Sequence, residues 1–206
     1  MTLPFFLRGL LIGFSIAAPV GPIGVLCIQR TLTKGLLIGF LTGFGAATAD
    51  AVYGSIAAFG MTGISKLLIN YQDWLRLGGG IFLVYLGLRT ILVIPGNTII
   101  NSDRINFHKA YTTTFFLTLT NPLTILSFLG IFAGLGIAAN EGEGLVGAIT
   151  LVVGVFIGSI IWWIVLSSIT AFIKQKINTL SLNWVNRISG IIILGFGFVA
   201  IGSLIF

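Results

Sequence analysis

Six stretches of the chain are almost continuously apolar, at residues 9–29, 35–60, 74–94, 111–138, 145–172 and 186–206. Each reaches the roughly 20 residues that an α-helix needs to cross a bilayer core about 30 Å thick. None alternates apolar and polar positions as a membrane β-strand does. Backbone polar groups in lipid must be paired within the spanning segment, which leaves helices. Nearly all the charge falls in short connections. The longest connection is 95–110, "PGNTIINSDRINFHKA", a polar loop opening on a Pro-Gly turn. The pattern predicts an all-α integral membrane protein of about six transmembrane helices, a single transmembrane domain over residues 1–206.

Composition agrees with this reading. The chain is 56% hydrophobic and 8% charged, with a mean hydropathy of +1.10, whereas a soluble domain carries about a quarter charged residues. The net charge of +6 then points to cytoplasmic loops, where Lys and Arg concentrate, and not to a nucleic-acid partner. On the N-terminal side lie Arg8, Lys66 and Arg76, with the acidic "NEGEG" loop (Glu141, Glu143). The opposite side holds Arg30, Lys34, Arg89, Arg104, Lys109, Lys174, Lys176 and Arg187. Eight against three predicts that the second side is cytoplasmic and that both termini face outward. Arg8, the apolar run after it and "SIAAP" mimic a signal peptide. The run continues past Ala18 to Ile28, as a retained helix would.

The two halves resemble each other. "GPIGVL" (21–26) parallels "NPLTIL" (121–126). Gly43 and Ala47 parallel Gly154 and Gly158. Trp74, Gly80 and Gly87 parallel Trp184, Gly190 and Gly197. The matches keep chain order, at offsets of 100, 111 and 110 residues. Three spans per half is an odd number, so the second half must enter the membrane from the opposite side. The chain is therefore expected to form two inverted three-helix repeats, about 1–95 and 111–206. Secondary transporters built this way place their site near the midplane, at broken helices.

Two such breaks are written in the sequence. Pro19, Gly21 and Pro22 fall within "APVGP" of the first span, and Asn121 and Pro122 within "TNP" of the fourth. Proline lacks an N–H and clashes with the carbonyl four residues earlier, and carbonyls freed in lipid need another partner. Plain packing kinks are the simpler account of the same residues. In span two, Gly35, Gly39, Gly43 and Ala47 form a stripe of small residues suited to close helix packing; Gly154 and Gly158 do the same in span five. Asp50 lies some fifteen residues into span two, level with about Pro19. A carboxylate at that depth costs on the order of 2.5–3.5 kcal/mol and usually faces a cavity or a partner. It is either a binding group for an amine, a proton carrier, or one end of a structural pair. Arg89 is the basic residue at comparable depth, unless it snorkels to the cytoplasmic surface. Tyr53 shares the Asp50 face at i+3. Trp162 and Trp163 lie mid-span and could line a pocket, although packing is the simpler reading; Trp74 and Trp184 read as interfacial aromatics, and His108 as a solvated loop residue.

Taken together, "APVGP", the glycine-rich run into "ATADAVYG" and "TNPLTIL" resemble the LysE/RhtB family of amino-acid exporters over essentially the whole chain. The family's usual Pro-Gly-Pro reads Pro19-Val20-Gly21-Pro22 here, and Leu123 replaces the lysine of its Asn-Pro-Lys, as in a divergent branch. The resemblance implies a bacterial inner-membrane efflux protein for amino acids or related small metabolites, driven by an ion gradient. Substrate or ion binding would then involve Asp50, Tyr53, Pro19, Gly21, Pro22, Asn121 and Pro122. The N-terminal end of the half-helix after "VGP" would meet a carboxylate and Asp50 an ammonium. The expected partners are the lipid bilayer and a small zwitterionic or amine-bearing substrate; a homo-oligomer is compatible with the sequence.

Membrane enzymes fit poorly. An aspartyl intramembrane protease needs a second acid within the spans, and a serine protease would need His108 in the membrane. Cys27 is the single cysteine, so no thiol pair or cysteine cluster is available. No cofactor or metal is expected. An ion or small-solute channel and a small structural membrane subunit remain the alternatives.

Overall fold

In the computed structural model, residues 2–19, 21–59, 71–92, 107–121, 124–125, 127–128, 144–174 and 179–204 are described. Among them the chain is entirely helical. Seven helices follow in order: α1 (Thr2–Ala17), α2 (Pro22–Lys34), α3 (Leu36–Ala58), α4 (Gln72–Leu92), α5 (Phe107–Leu119), α6 (Gly144–Lys174) and α7 (Thr179–Gly202). Three are long and apolar enough to cross a bilayer: α3, α6, and α7 over Asn183–Gly202. Helices α1 and α2 are together long and apolar enough for one more span, and they meet at a 77° bend. The 31 residues of α6 make a rod of about 46 Å at 1.5 Å per residue, longer than the hydrocarbon core. The molecule is a multi-pass membrane protein.

The "APVGP" break is a full stop and restart. Helix α1 ends at Ala17, and α2 begins with Pro22 in its first turn, behind Gly21 as N-cap. Proline is well tolerated there, because the N–H it lacks would have no intrahelical acceptor anyway. The second break is built alike. Helix α5 ends at Leu119, and the backbone N–H of Ile125 donates to the Asn121 carbonyl (3.2 Å), as that of Val25 donates to the Gly21 carbonyl (3.0 Å). Pro122 lies outside the described residues.

Besides α1, which starts at Thr2 ahead of the expected residue 9, three boundaries differ from the sequence expectation, each for the same reason. Helix α2 runs on through Arg30 to Lys34, α5 starts at Phe107, and α7 starts at Thr179. Polar residues at helix ends lower hydropathy without ending the helix. Arg30, expected in a loop, therefore sits within α2, and His108 and Lys109 are exposed residues in the first turn of α5. Gly35 does not belong to the small-residue stripe. It joins α2 to α3 at φ +100°, a conformation that glycine reaches readily and L residues rarely do.

Small residues set the helix contacts. α1 packs along α6, α3 lies against both α6 and α5, and α4 pairs with α7. A Cβ on Gly154 or Gly158 would meet the backbone of Phe6 or Leu10 in α1, and one on Gly43 would meet the Trp163 side chain. A Cβ on Gly45 would meet the Tyr111 carbonyl and the Phe115 nitrogen. The environment of Gly154 is the same, with the Phe6 carbonyl and the Leu10 nitrogen. Between α4 and α7, Gly80 faces Gly197 and Gly87 faces Gly190. Without a hydrophobic driving force between helices in lipid, such close approach is what drives association. Replacing Gly158 with Val should force α1 off α6 and cost about 1–3 kcal/mol, the usual penalty of overpacking. It should appear as a lower thermal midpoint in detergent. Gly195→Ala is the control: a Cβ there meets nothing, and its midpoint should not fall.

Candidate functional site

The helix breaks and Asp50 share one cavity of about 110 Å³. With liquid water occupying about 30 Å³ per molecule, it has room for a few waters or the polar head of a small solute. Its wall includes Pro19, Gly21 and Pro22 from the first break, Asn121 from the second, Asp50 from α3 and Trp163 from α6. Helix α2 starts at this wall. The N–H groups of its first turn lack intrahelical acceptors, Gly21 provides no side-chain cap, and Ile23 and Gly24 line the space. The helix thus turns its positive dipole end toward the cavity. Among the described lining residues Asp50 is the single charged side chain.

Asp50 is 3% exposed. The Ser159 hydroxyl donates to its Oδ2 at 2.7 Å, and the Trp163 indole Nε1–H donates to Ser159 Oγ at 3.1 Å. Ser159 is fully buried where α6 crosses α3. Trp163 fits against α3 because Gly43 leaves space for it. Arg89 is exposed on α4 and does not line the cavity, so the carboxylate's partner is a hydroxyl.

Of the residues singled out in the sequence, Asp50, Pro19, Gly21, Pro22 and Asn121 meet at the cavity. Tyr53 does not line it. Its ring is buried against Phe128, and its hydroxyl donates to the Leu119 carbonyl. Leu119 closes α5, so Tyr53 satisfies a carbonyl left open by the second break. Asn121 is buried, and its side-chain amide donates to Thr124 Oγ1 at 3.0 Å.

The sequence reading passed over Ser159 and treated Trp163 as packing. The cue for Ser159 comes from the packing and not from the sequence alone. Gly45 and Gly154 occupy matching environments, which sets the register between α3 and α6 at 109 residues, and Asp50 plus 109 is Ser159. Pairing Gly43 with Gly154 instead hides that match. Arg30 was also missed. Its Nη1 donates to Thr42 Oγ1 (3.2 Å), the Ala110 carbonyl (3.1 Å) and Thr114 Oγ1 (3.0 Å), joining α2 to α3 and α5. Nearby, Gln29 donates to Asn186 of α7 at 2.8 Å. The far end of α2 is thus held by polar side chains two turns from Asp50 along α3.

A multi-pass helical bundle with a broken helix and a carboxylate in a buried cavity has the form of a solute carrier. The chain matches the LysE type translocator family over residues 14–203, and it belongs to that family. It is 28% identical to the "Putative amino acid efflux protein YcgF" of Bacillus subtilis (strain 168), over 94% of this chain and 93% of that protein. It is 25% identical to the uncharacterized membrane protein YahN of Escherichia coli (strain K12), over 68% of this chain and 63% of that one. No solved structure matches the chain. The family is one of translocators, not enzymes.

Arg30 offers a direct check on the packing beside the site. Replacing it with Ala removes a charged donor from three oxygens, and hydrogen bonds to charged groups are worth about 1.5–3 kcal/mol. Arg30→Ala should lower the thermal midpoint in detergent. Arg30→Lys should restore only part of it, since an ammonium lacks the guanidinium's fork of donors.

Proposed function

We propose that the chain is a secondary transporter of the bacterial inner membrane that exports amino acids or related small amine-bearing solutes, coupled to the proton gradient. One observation carries this reading: a carboxylate buried at mid-helix in a cavity formed where two helices break. The α-ammonium of a zwitterion would bind at Asp50, and its carboxylate at the α2 N-terminus behind Gly21 and Pro22, with Asn121 and the residue beside it, Pro122, completing the second break. Intramembrane acids that face a cavity mark substrate or ion pathways. The name of the Bacillus relative supports an amino-acid substrate. Tyr53 serves the site by sealing the end of α5.

The same reading takes residues 1–206 as one domain of six spans in two inverted repeats, about 1–95 and 111–206, with both termini outside. The contact pattern supports it. Exchanging the halves turns the packing of α1 on α6 into that of α5 on α3, and returns the α3–α6 and α4–α7 pairs to themselves. The facing pair Gly80 and Gly197 becomes Gly190 and Gly87, which also face each other. Alternating access would then follow from exchanging the roles of the two halves around the cavity.

The test is Asp50→Asn in proteoliposomes carrying an imposed proton gradient, screened against a panel of amino acids. Wild type should drive at least one of them against its gradient. The variant should insert and purify as wild type does but lose the coupled transport, by at least about tenfold. Full coupled export by Asp50→Asn would refute the mechanism.

A further inference from the structure

While Asp50 is ionised, the hydrogen-bond chain from Trp163 through Ser159 to Asp50 runs in one direction only. An indole N–H donates and does not accept, and a hydroxyl has a single proton to give. Trp163 Nε1 donates to Ser159 Oγ, and Ser159 has one acceptor in reach, Asp50 Oδ2. Oδ2 is therefore committed as an acceptor. Asp50 has no second hydrogen-bond partner among the described residues, so its other oxygen, Oδ1, belongs to the cavity that the residue lines.

The surroundings leave Oδ1 alone in that role. From α5, the Thr118 hydroxyl donates to the Thr114 carbonyl and the Asn121 amide to Thr124. On α3 itself, the titratable Tyr53 spends its proton on the Leu119 carbonyl. The lining residues of α1 and α2 are Ile16, Ala17, Pro22, Ile23 and Gly24, none of them charged, and α6 contributes the neutral Trp163. No other described side chain lining the cavity carries a charge that could take the place of a proton or cation at Oδ1.

We infer that Ser159 and Trp163 are positioning residues that lock one oxygen of Asp50 and reserve Oδ1 as a single loading atom. The inference rests on Asp50 being the coupling carboxylate. A proton arriving from the cavity binds Oδ1 and makes the carboxyl neutral, with Oδ2 as its carbonyl oxygen, since a proton on Oδ2 would leave the Ser159 hydroxyl without its acceptor. A substrate ammonium needs the same atom in its charged form, so that proton must leave to cavity water before the ammonium binds. One site then holds either cargo and never both, which gives exchange instead of cotransport.

Infrared difference spectroscopy of the reconstituted protein, between acidic and alkaline buffer, tests this without knowing the substrate. Wild type should show a protonated-carboxyl C=O band that is missing in Asp50→Asn. A carbonyl that accepts a hydrogen bond stretches at lower frequency than a free one, so Ser159→Ala should move this band upward. Trp163→Phe, which keeps the ring but removes the N–H, should move it the same way by less. A band at the wild-type position in both variants overturns the inference, as does the lack of any Asp50 band in wild type. If Ser159→Ala does not fold, Trp163→Phe decides alone. Coupled export surviving in Asp50→Asn would instead defeat the assignment of Asp50 as the coupling carboxylate, on which the inference rests. Loss of export in Asp50→Asn with an unmoved band defeats only the role given to Ser159 and Trp163.

Discussion

A carboxylate at the centre of a membrane helix is stable only where neighbouring helices withdraw it from lipid and give it a donor, and the packing of this molecule is organised around doing both for Asp50. The withdrawal comes from backbone proximity. Gly154 and Gly158 bring α6 against α1, and Gly43 brings it against α3. The donor comes from Ser159, which reaches Asp50 because the two helices are that close. A bulkier residue at any of these glycines would separate the helices and strand the acid. The small residues of α3 and the acid they precede are therefore parts of one device.

The breaks in the helices obey a second constraint. Lipid supplies no hydrogen bonds, so each interrupted turn must be satisfied by protein or by the contents of the cavity. Tyr53 does this for Leu119, and Asn121 accepts from Ile125 to start the next helical stretch. Pro22 does it by omission, since it occupies a first-turn position without an N–H to satisfy. What remains open is concentrated at the α2 N-terminus and faces the cavity, where a ligand can use it.

Much of this was legible in the sequence. Hydropathy placed α3 and α6 within two residues of their observed ends, because both are apolar to their termini. The prolines and Gly21 marked the break between α1 and α2, since proline chemistry is local. What escaped was whatever depends on a neighbouring helix. The polar face of α2, with Gln29, Arg30 and Thr31, looks like the start of a loop to a hydropathy window. It is instead satisfied by Asn186, by Thr42 and Thr114, and by its own backbone. Ser159 is an unremarkable serine until the packing of α6 on α3 sets it opposite Asp50. Trp163 looks like any core tryptophan until the cavity beside it is seen.

The Asp50–Ser159 bond joins two positions that correspond under the proposed exchange of halves, so the two-fold axis of that proposed arrangement would run through it. A fold with that symmetry presents equivalent routes to both sides of the membrane, and its architecture alone has no preferred sense. Vectorial bias must then originate in places where the halves differ chemically. At the axis the difference is an acid opposite an alcohol. Toward one side it is Arg30, whose guanidinium ties α2 to α5. Polarity of transport in this molecule would be written by a handful of side chains superimposed on a scaffold that is itself indifferent to inside and outside.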